Sequence, residues 1–222
     1  MQNNYNGYIS FSRYNEPLFH ESDLIWYINI FKKWLPNCKI VFNTNGDALH
    51  ESVLKKLQAD EITIMDYDNK GYEWCFKKLQ SLNCTIEPNI LNNHFIHAHY
   101  GNIKILYYVD WQKHHLITNR GGSLPAYETI PRLNPCYEPL YFIGINYDGT
   151  VSPCCNIRND IENQKPYIIG DLNKQNLSEI LNSEERKNFQ KIAQHLVKGA
   201  PCEFCLNQGG RYTREKGDIN YG

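Results

Sequence analysis

The sequence of 222 residues has no long apolar run and no excess of charge of one sign. No stretch approaches the roughly 18 apolar residues of a transmembrane helix, and no basic segment followed by an apolar core opens the chain. We therefore expect a cytoplasmic protein without a membrane partner. The formal net charge is -1, and the basic residues are scattered. A nucleic-acid partner is not expected, because phosphate binding requires a clustered basic surface.

Cysteine, in contrast, is plentiful, and four of the eight residues form a pattern typical of one metal site. Cys136 leads through Gly149 to Cys154 in the spacing Cys-x12-Gly-x4-Cys, and Cys202 and Cys205 follow in Pro-Cys-Glu-Phe-Cys. In a reducing compartment metal ligation explains such clustering better than disulfides do. Four thiolates complete the coordination of an iron-sulfur cluster or of a structural Zn²⁺ ion, and ligand chemistry alone leaves both open.

The other cysteines have simpler interpretations. Cys155 could replace Cys154 as a ligand, but the Gly-x4-Cys spacing selects Cys154. Cys38, Cys75 and Cys84 lie on separate predicted elements, and we expect them to be buried structural thiols, since free cysteine packs as a small apolar residue.

The first half of the chain alternates short β-rich runs with helical patterns, which is typical of βα units that build a parallel sheet. The pattern predicts strands over 8–12, 39–43, 62–65, 104–109 and 116–118. Leu24, Ile28, Phe31 and Leu35 mark one face of a first helix that stops at Pro36. Two further helices are predicted around Val53, Leu54 and Leu57 and around Trp74, Phe76, Leu79 and Leu82. The fold class is therefore α/β.

The composition becomes rich in loops after Gly121, and we place a domain boundary near Pro131, which gives domains 1–130 and 131–222. Residues 141–146 and Val151 are predicted to pair across the Asp148-Gly149 turn. Asn176 and Glu179 form a predicted capping pair, and a helix is predicted to begin at Ser183 and to close at Gly199. The last dozen residues are predicted to be a mobile tail.

These cysteines, together with Asn-Tyr-Asp-Gly-Thr-Val-Ser-Pro-Cys-Cys and the later Ile-Gly-Asp-Leu-Asn, resemble the C-terminal region of radical SAM enzymes of the SPASM/twitch type. The resemblance implies a partial radical SAM (β/α) barrel followed by a small auxiliary cluster domain. It implies one auxiliary 4Fe-4S cluster held by Cys136, Cys154, Cys202 and Cys205, because the chain stops at four ligands as the shorter twitch form does.

The N-terminal half resembles the same superfamily through Phe-Ser-Arg-Tyr-Asn-Glu-Pro-Leu over residues 11–18 and Asn-Thr-Asn-Gly over residues 43–46. In the family the first motif binds the amino group of S-adenosylmethionine, which implies this role for Glu16. The second motif implies a cofactor contact at Asn45. Taken without the resemblance, Glu16 is an ordinary helix-capping residue.

The family's Cys-x3-Cys-x2-Cys loop, which holds the catalytic cluster, is not present in this sequence. Three explanations stay open: a truncated chain, a separate chain that carries the catalytic cluster, or a protein that has lost radical chemistry. The resemblance implies an enzyme that uses a radical derived from S-adenosylmethionine to oxidise or modify a small molecule or peptide, once the missing segment is supplied. The auxiliary cluster would then serve as a redox centre.

Competing interpretations are a non-catalytic iron-sulfur module for electron transfer and a zinc-stabilised interaction domain. Two smaller patterns also bear on function. His97 and His99 share one strand face and could ligate a metal, although a polar strand face is the simpler interpretation. Residues 119–122, Asn-Arg-Gly-Gly, could contact a carboxylate or form a plain turn.

Overall fold

The computed structural model describes residues 4–12, 15–87, 95–108, 121 and 131–205. The chain divides into two compact units, Met1–Leu116 and Ile117–Gly222, and each has its own hydrophobic core. The boundary that we expect near Pro131 stays a prediction. No helix in the described ranges has both the length and the apolar character needed to cross a bilayer.

The first unit consists of one mixed sheet with helices between its strands. Its elements are β1 (Tyr8–Ser10), a 3-10 helix (Pro17–His20), α1 (Glu21–Trp34), β2 (Lys39–Thr44), α2 (Glu51–Leu54), β3 (Glu61–Met65), α3 (Gly71–Ser81), β4 (Thr85–Ile86), β5 (Phe95–Tyr100) and β6 (Ile103–Tyr108). The strand order is β1-β2-β3-β6-β5-β4. The pairs β1 to β2, β2 to β3 and β3 to β6 are parallel, whereas β5 is antiparallel to both of its neighbours.

Alternating burial gives β2 and β3 one face each that packs into the core of this unit. Ile40 and Phe42 in β2 and Ile62 and Ile64 in β3 are almost fully buried. Burying such a side chain contributes about 1.5–3 kcal/mol each. The periodicity of α1 predicts its contact face correctly, because Leu24 and Ile28 pack into the same core.

A polar contact also fixes α1 against the sheet. Asp60 accepts hydrogen bonds at Oδ2 from Lys32 Nζ and from the Ile40 amide, both at 2.7 Å. The Lys32 ammonium also donates to the Cys38 carbonyl at 2.9 Å. Because β1, β2 and β3 are parallel, their carboxyl ends lie at one edge of the sheet, where the Glu16 loop is found.

The α/β class is confirmed, but the sheet is not purely parallel. The sequence pattern misses β4 and its antiparallel pairing with β5. The helix α2 ends at Leu54 and therefore does not include Leu57, which the sequence pattern places in the same helix. The strand order does not establish a barrel. Val109 and the predicted strand over 116–118 lie outside the described residues.

The N-terminal part of the first unit carries large exposed aromatic side chains. They belong to the residues that precede β1, to β1 itself and to the adjacent helices: Tyr5, Tyr8, Phe19, Trp26, Tyr27 and Trp34. Among the described residues β1 pairs only with β2, so its outer edge faces no strand.

The second unit is built around a small antiparallel sheet. Its elements are α4 (Glu138–Tyr141), β7 (Gly144–Ile145), β8 (Thr150–Ser152), a 3-10 helix (Glu162–Tyr167), β9 (Gly170–Asp171), α5 (Leu177–Asn182) and α6 (Glu184–His195). The strand order is β7-β8-β9. Val151, Ile169, Ile180 and Phe189 form the centre of its core.

The predicted hairpin and caps of this unit are largely confirmed, with two corrections. Asn176 and Glu179 form a capping box, and Ser183 caps α6. Tyr141, however, belongs to α4 rather than to the hairpin strand, because Pro139 favours the first turn of a helix. The helix α6 ends at His195, and its C-cap is not Gly199 but Leu196, which adopts a left-handed conformation with φ of 51°. The predicted mobile tail lies outside the described residues.

Candidate metal centre

The turn between β7 and β8 directs Cys154 towards the core of the second unit. Asn146 Nδ2 donates to Thr150 Oγ1 at 2.9 Å and to Ser152 Oγ at 3.0 Å, which ties the two strands together. Asp148 Oδ1 accepts from the Thr150 amide at 3.0 Å and from its hydroxyl at 2.6 Å. The hydrogen bond from the Thr150 side chain is the main cause that lowers the pKa of Asp148. The chain then bends at Pro153, and Cys154 follows directly.

Gly149, the glycine of the Cys-x12-Gly-x4-Cys pattern, is required by this turn. Its φ is +84°, and a Cβ atom there would lie 2.4 Å from Asn173 Nδ2. Asn173 itself donates through Nδ2 to the Asp148 carbonyl at 2.8 Å. Any side chain at position 149 would therefore displace the residue that holds the turn against β9.

The other cysteines are positioned by the end of α6 and by the loop that follows it. The Cys136 amide donates to the Ala193 carbonyl at 3.0 Å, which places Cys136 beside α6. Cys202 and Cys205 lie in one tight turn, since the Cys205 amide donates to the Cys202 carbonyl at 3.4 Å. A Cys-x-x-Cys spacing in such a turn brings both sulfur atoms to the same side.

All four predicted ligands are buried in the second unit. Their exposed fractions are 7% for Cys136, 8% for Cys154, 7% for Cys202 and 7% for Cys205, and Cys136, Cys154 and Cys202 belong to one core cluster. None of the four forms a disulfide in the described structure.

Electrostatic interactions connect the same thiols. Burial raises the pKa of Cys154 well above its usual value, and Cys155, Cys202 and Cys205 raise it further. Burial also raises the pKa of Cys202 to about 12, with added contributions from Cys205 and Cys136. Such thiols stay protonated at neutral pH unless a cationic centre stabilises the thiolate form. By its chemistry, a set of four thiols is one that an iron-sulfur cluster uses, and binding of a cluster would release their protons.

Cys154 fits the ligand set better than Cys155 does. Cys154 is buried and interacts with Cys202 and Cys205, whereas Cys155 is only half-buried. In the described ranges no group of three or more His, Cys, Asp or Glu side chains is arranged so that it could hold a metal ion. Ligation by Cys136, Cys154, Cys202 and Cys205 therefore stays a prediction that rests on their shared burial and electrostatic interaction.

The remaining thiols behave as expected of structural residues. Cys38 and Cys75 are buried in the core of the first unit, and Cys84 packs against it. Burial raises the pKa of Cys84 to about 11 and raises that of Cys75 as well.

Two polar residues near the thiols were not predicted from the sequence. Arg132 is 5% exposed, and its positive charge opposes the rise in the pKa of Cys202. Asn156 is 3% exposed, and its Nδ2 donates to Cys205 Sγ at 3.4 Å. The sequence indicates their proximity to the thiols only through their positions: Arg132 lies four residues before Cys136, and Asn156 lies two residues after Cys154.

At the edge of the first unit, Glu16 connects two loops. Its Oε1 accepts from Thr44 Oγ1 at 2.7 Å and from the Leu18 amide at 3.1 Å, and its Oε2 accepts from the Asn45 amide at 2.7 Å. The bond to Leu18 caps the 3-10 helix, so the ordinary capping role is present. The two motifs that carry the family resemblance are thus in direct contact. Asn45 Oδ1 accepts from the Asp47 amide at 2.9 Å.

The histidines of β5 pair with a carboxylate. His99 Nε2 lies 2.8 Å from Glu87 Oε1, and His97 Nδ1 lies 3.6 Å from Glu87 Oε2. All three side chains are about half exposed, which fits a polar strand face. Of the predicted contact over 119–122, only Gly121 lies within the described residues.

Comparison with known proteins identifies the second unit. Residues 136–207 match the SPASM model, described as an iron-sulfur cluster-binding domain. No curated protein matches the chain.

Two solved structures share the fold. BtrN in complex with AdoMet and 2-DOIA is 20% identical with a TM-score of 0.67, and the match covers 92% of this chain and 74% of BtrN. Selenomethionine BtrN in an open conformation is 16% identical with a TM-score of 0.57, covering 92% and 77%. The domain match confirms the expected SPASM-type region, and the structural matches show a fold shared with BtrN.

Proposed function

We propose that this chain is the cofactor-binding fold and auxiliary-cluster region of a radical SAM enzyme that oxidises or modifies a small molecule or peptide. The observation that carries the proposal is the set of four buried, mutually interacting thiols inside the SPASM-matched region. Cys136, Cys154, Cys202 and Cys205 would hold one 4Fe-4S cluster, which supplies electron-transfer chemistry when bound. The near-neutral net charge supports a partner that is not a nucleic acid.

Glu16 is the residue proposed to bind the amino group of S-adenosylmethionine. An ionised carboxylate offers about four acceptor positions, and three are used by Leu18, Thr44 and Asn45. Counting only the described residues, one position at Oε2 is left for an ammonium group, and such charge-assisted bonds are strong. The bonds already present fix the carboxylate before the cofactor arrives. Asn45 would contribute to the same cofactor site through its position in the loop that Glu16 anchors.

Catalysis requires a Cys-x3-Cys-x2-Cys segment, and we propose that it is encoded upstream in frame or on a separate chain. The open edge of β1 supports this arrangement, because a strand-loop-helix segment could add to it in parallel and complete a partial barrel. The exposed aromatic side chains beside β1 would then be covered.

Metal analysis tests the proposed cluster. The full chain, purified anaerobically and reconstituted with iron and sulfide, is expected to hold about four iron and four sulfide per chain. Cys202→Ala is expected to lose most of this content, because a ligand is removed. Cys75→Ala is the matched control, since Cys75 is buried but lies in the other unit. Zinc without iron or sulfide in the wild-type protein would contradict the proposal.

A non-catalytic electron-transfer module is the second candidate, favoured by the lack of the catalytic triad in the sequence. The two candidate functions are distinguished by whether a Cys-x3-Cys-x2-Cys segment, encoded upstream or by a neighbouring gene, restores cleavage of S-adenosylmethionine. An upstream or neighbouring Cys-x3-Cys-x2-Cys segment that restores cleavage of S-adenosylmethionine on mixing supports the enzyme. A cluster that takes up electrons but yields no cleavage with any such segment supports the module.

A further inference from the structure

Arg132 is a buried cation whose guanidinium is not fully satisfied. Its Nε donates to the Asn134 carbonyl at 2.6 Å, and its backbone amide donates to the Glu203 carbonyl at 2.6 Å. Its Nη2 is buried and has no hydrogen-bond partner among the described residues. A buried charged donor without an acceptor is costly, and a bound group that accepts from Nη2 would remove this cost.

The surroundings of Arg132 indicate which acceptor this is. Arg132 interacts electrostatically with Cys202, one of the four proposed ligands. The bond to the Glu203 carbonyl holds Arg132 beside the Cys202–Cys205 turn. On the same turn Cys205 Sγ already accepts a side-chain hydrogen bond from Asn156, which shows that sulfur atoms here are within reach of amide donors.

We propose that Arg132 is a positioning residue for the auxiliary cluster, which donates a hydrogen bond from Nη2 to the Cys202 sulfur and raises the reduction potential of the cluster. The inference rests on the proposed cluster of the preceding section. Hydrogen bonds to ligand sulfur atoms and net charge are among the factors that set such potentials.

The direction of the effect follows from charge. A cluster with four thiolate ligands becomes one unit more negative when it takes up one electron from an external reductant. A fixed positive charge at the sulfur stabilises the reduced form more than the oxidised form, and the low dielectric of a buried site strengthens this preference.

A redox titration of the reconstituted full chain, followed by electron paramagnetic resonance, tests the proposal. Arg132→Gln is expected to make the reduced form about tenfold harder to reach, a shift of roughly 59 mV to more negative potential for one electron. Arg132→Lys keeps the positive charge but loses the planar guanidinium group, so its reduction potential is expected to shift by less.

The matched control is Arg186→Gln. Arg186 also has a buried nitrogen without a partner among the described residues, but it donates to the carbonyl groups of Leu181 and Leu140. This variant is expected to leave the potential unchanged. Equal potentials for wild type and Arg132→Gln, or equal shifts for Arg132→Gln and Arg186→Gln, would overturn the inference.

A second measurement does not depend on whether Arg132→Gln folds. In wild-type protein labelled with ¹⁵N-arginine, the reduced cluster is expected to show a magnetic coupling to a guanidinium nitrogen. The coupling disappears in labelled Arg132→Lys. Its absence in the wild type refutes the proposed bond even though the cluster is present, whereas failure to form any cluster refutes the proposed function instead.

Discussion

Glu16 links the 3-10 helix to the loop after β2 through a single carboxylate. Three donors converge on it from Leu18, Thr44 and Asn45. Its two oxygen atoms therefore serve the fold as well as the proposed cofactor. The capping role and the binding role, which the sequence presents as alternatives, are compatible in one residue.

Glu16→Gln is expected to destabilise the chain by about 1–3 kcal/mol. The glutamine amide nitrogen cannot accept, so one of the two loops loses its bond and a donor faces a donor. Urea denaturation of the full chain measures the difference in the free energy of unfolding. Glu162→Gln is the control, because Glu162 is 89% exposed and binds only the neighbouring Lys165 in the described structure. Equal stability of the two variants would show that the bridge contributes nothing.

At the scale of elements, the turn between β7 and β8 carries the most specific requirement. Gly149 combines a positive φ with close contact to Asn173. Gly199 has a φ of +78°, but a Cβ atom there would meet no atom of the described residues within 4 Å. The two glycines therefore separate the effect of backbone conformation from the effect of crowding.

Gly149→Ala is expected to cost about 3 kcal/mol, from roughly 1–2 kcal/mol of backbone strain and the loss of Asn173 hydrogen bonds. Gly199→Ala is expected to cost only the strain, about 1–2 kcal/mol. Urea denaturation measures both, and iron content after reconstitution reports whether Cys154 is still held in place. If Gly199→Ala lowers the free energy of unfolding as much as Gly149→Ala does, contact with Asn173 does not contribute to the cost at position 149.

Local patterns predict the elements that depend on local forces. The spacing of Leu24 and Ile28 predicts the buried face of α1, and Asn176 with Glu179 predicts the start of α5, because both features lie within a few residues. The antiparallel pairing of β4 with β5 depends on contacts between distant segments, and periodicity does not report strand direction.

The candidate site likewise contains some residues that the local sequence predicts and others that it does not. Cysteine spacing and Gly149 identify the proposed ligands from the sequence, since each is tied to a recognisable turn. The approach of Arg132 to Cys202 and of Asn156 to Cys205 joins residues far apart in the chain. Only the folded structure brings these pairs together.

At the scale of the whole molecule, each unit has a separate core. The core of the first unit is centred on the large sheet, and that of the second includes Cys136, Cys154 and Cys202 themselves. Ligands that are also core residues make cluster binding part of the folding free energy of that unit.

Removal of the cluster with a chelator is therefore expected to act on one unit. Hydrogen exchange should become faster in β8, β9 and α6, while β2, β3 and β6 keep their protection. Exchange measured by mass spectrometry on the full chain, before and after chelation, resolves the two groups. Cys202→Ala without chelation serves as the comparison, and equal loss of protection in both groups would contradict separate stabilisation.

In the part of the chain that the structure describes, the outer edge of β1 faces no strand, and this has a consequence for self-association. The Tyr8 carbonyl accepts from the Tyr5 hydroxyl at 2.9 Å, so any strand that adds here must replace this bond, and backbone hydrogen bonding alone does not distinguish the intended strand from another. Two copies that meet edge to edge would occupy the place of a complementing segment. Self-association through β1 and binding of the proposed complementing segment would thus compete for the same few residues, and lowering the concentration of this chain at a fixed concentration of the segment favours the segment.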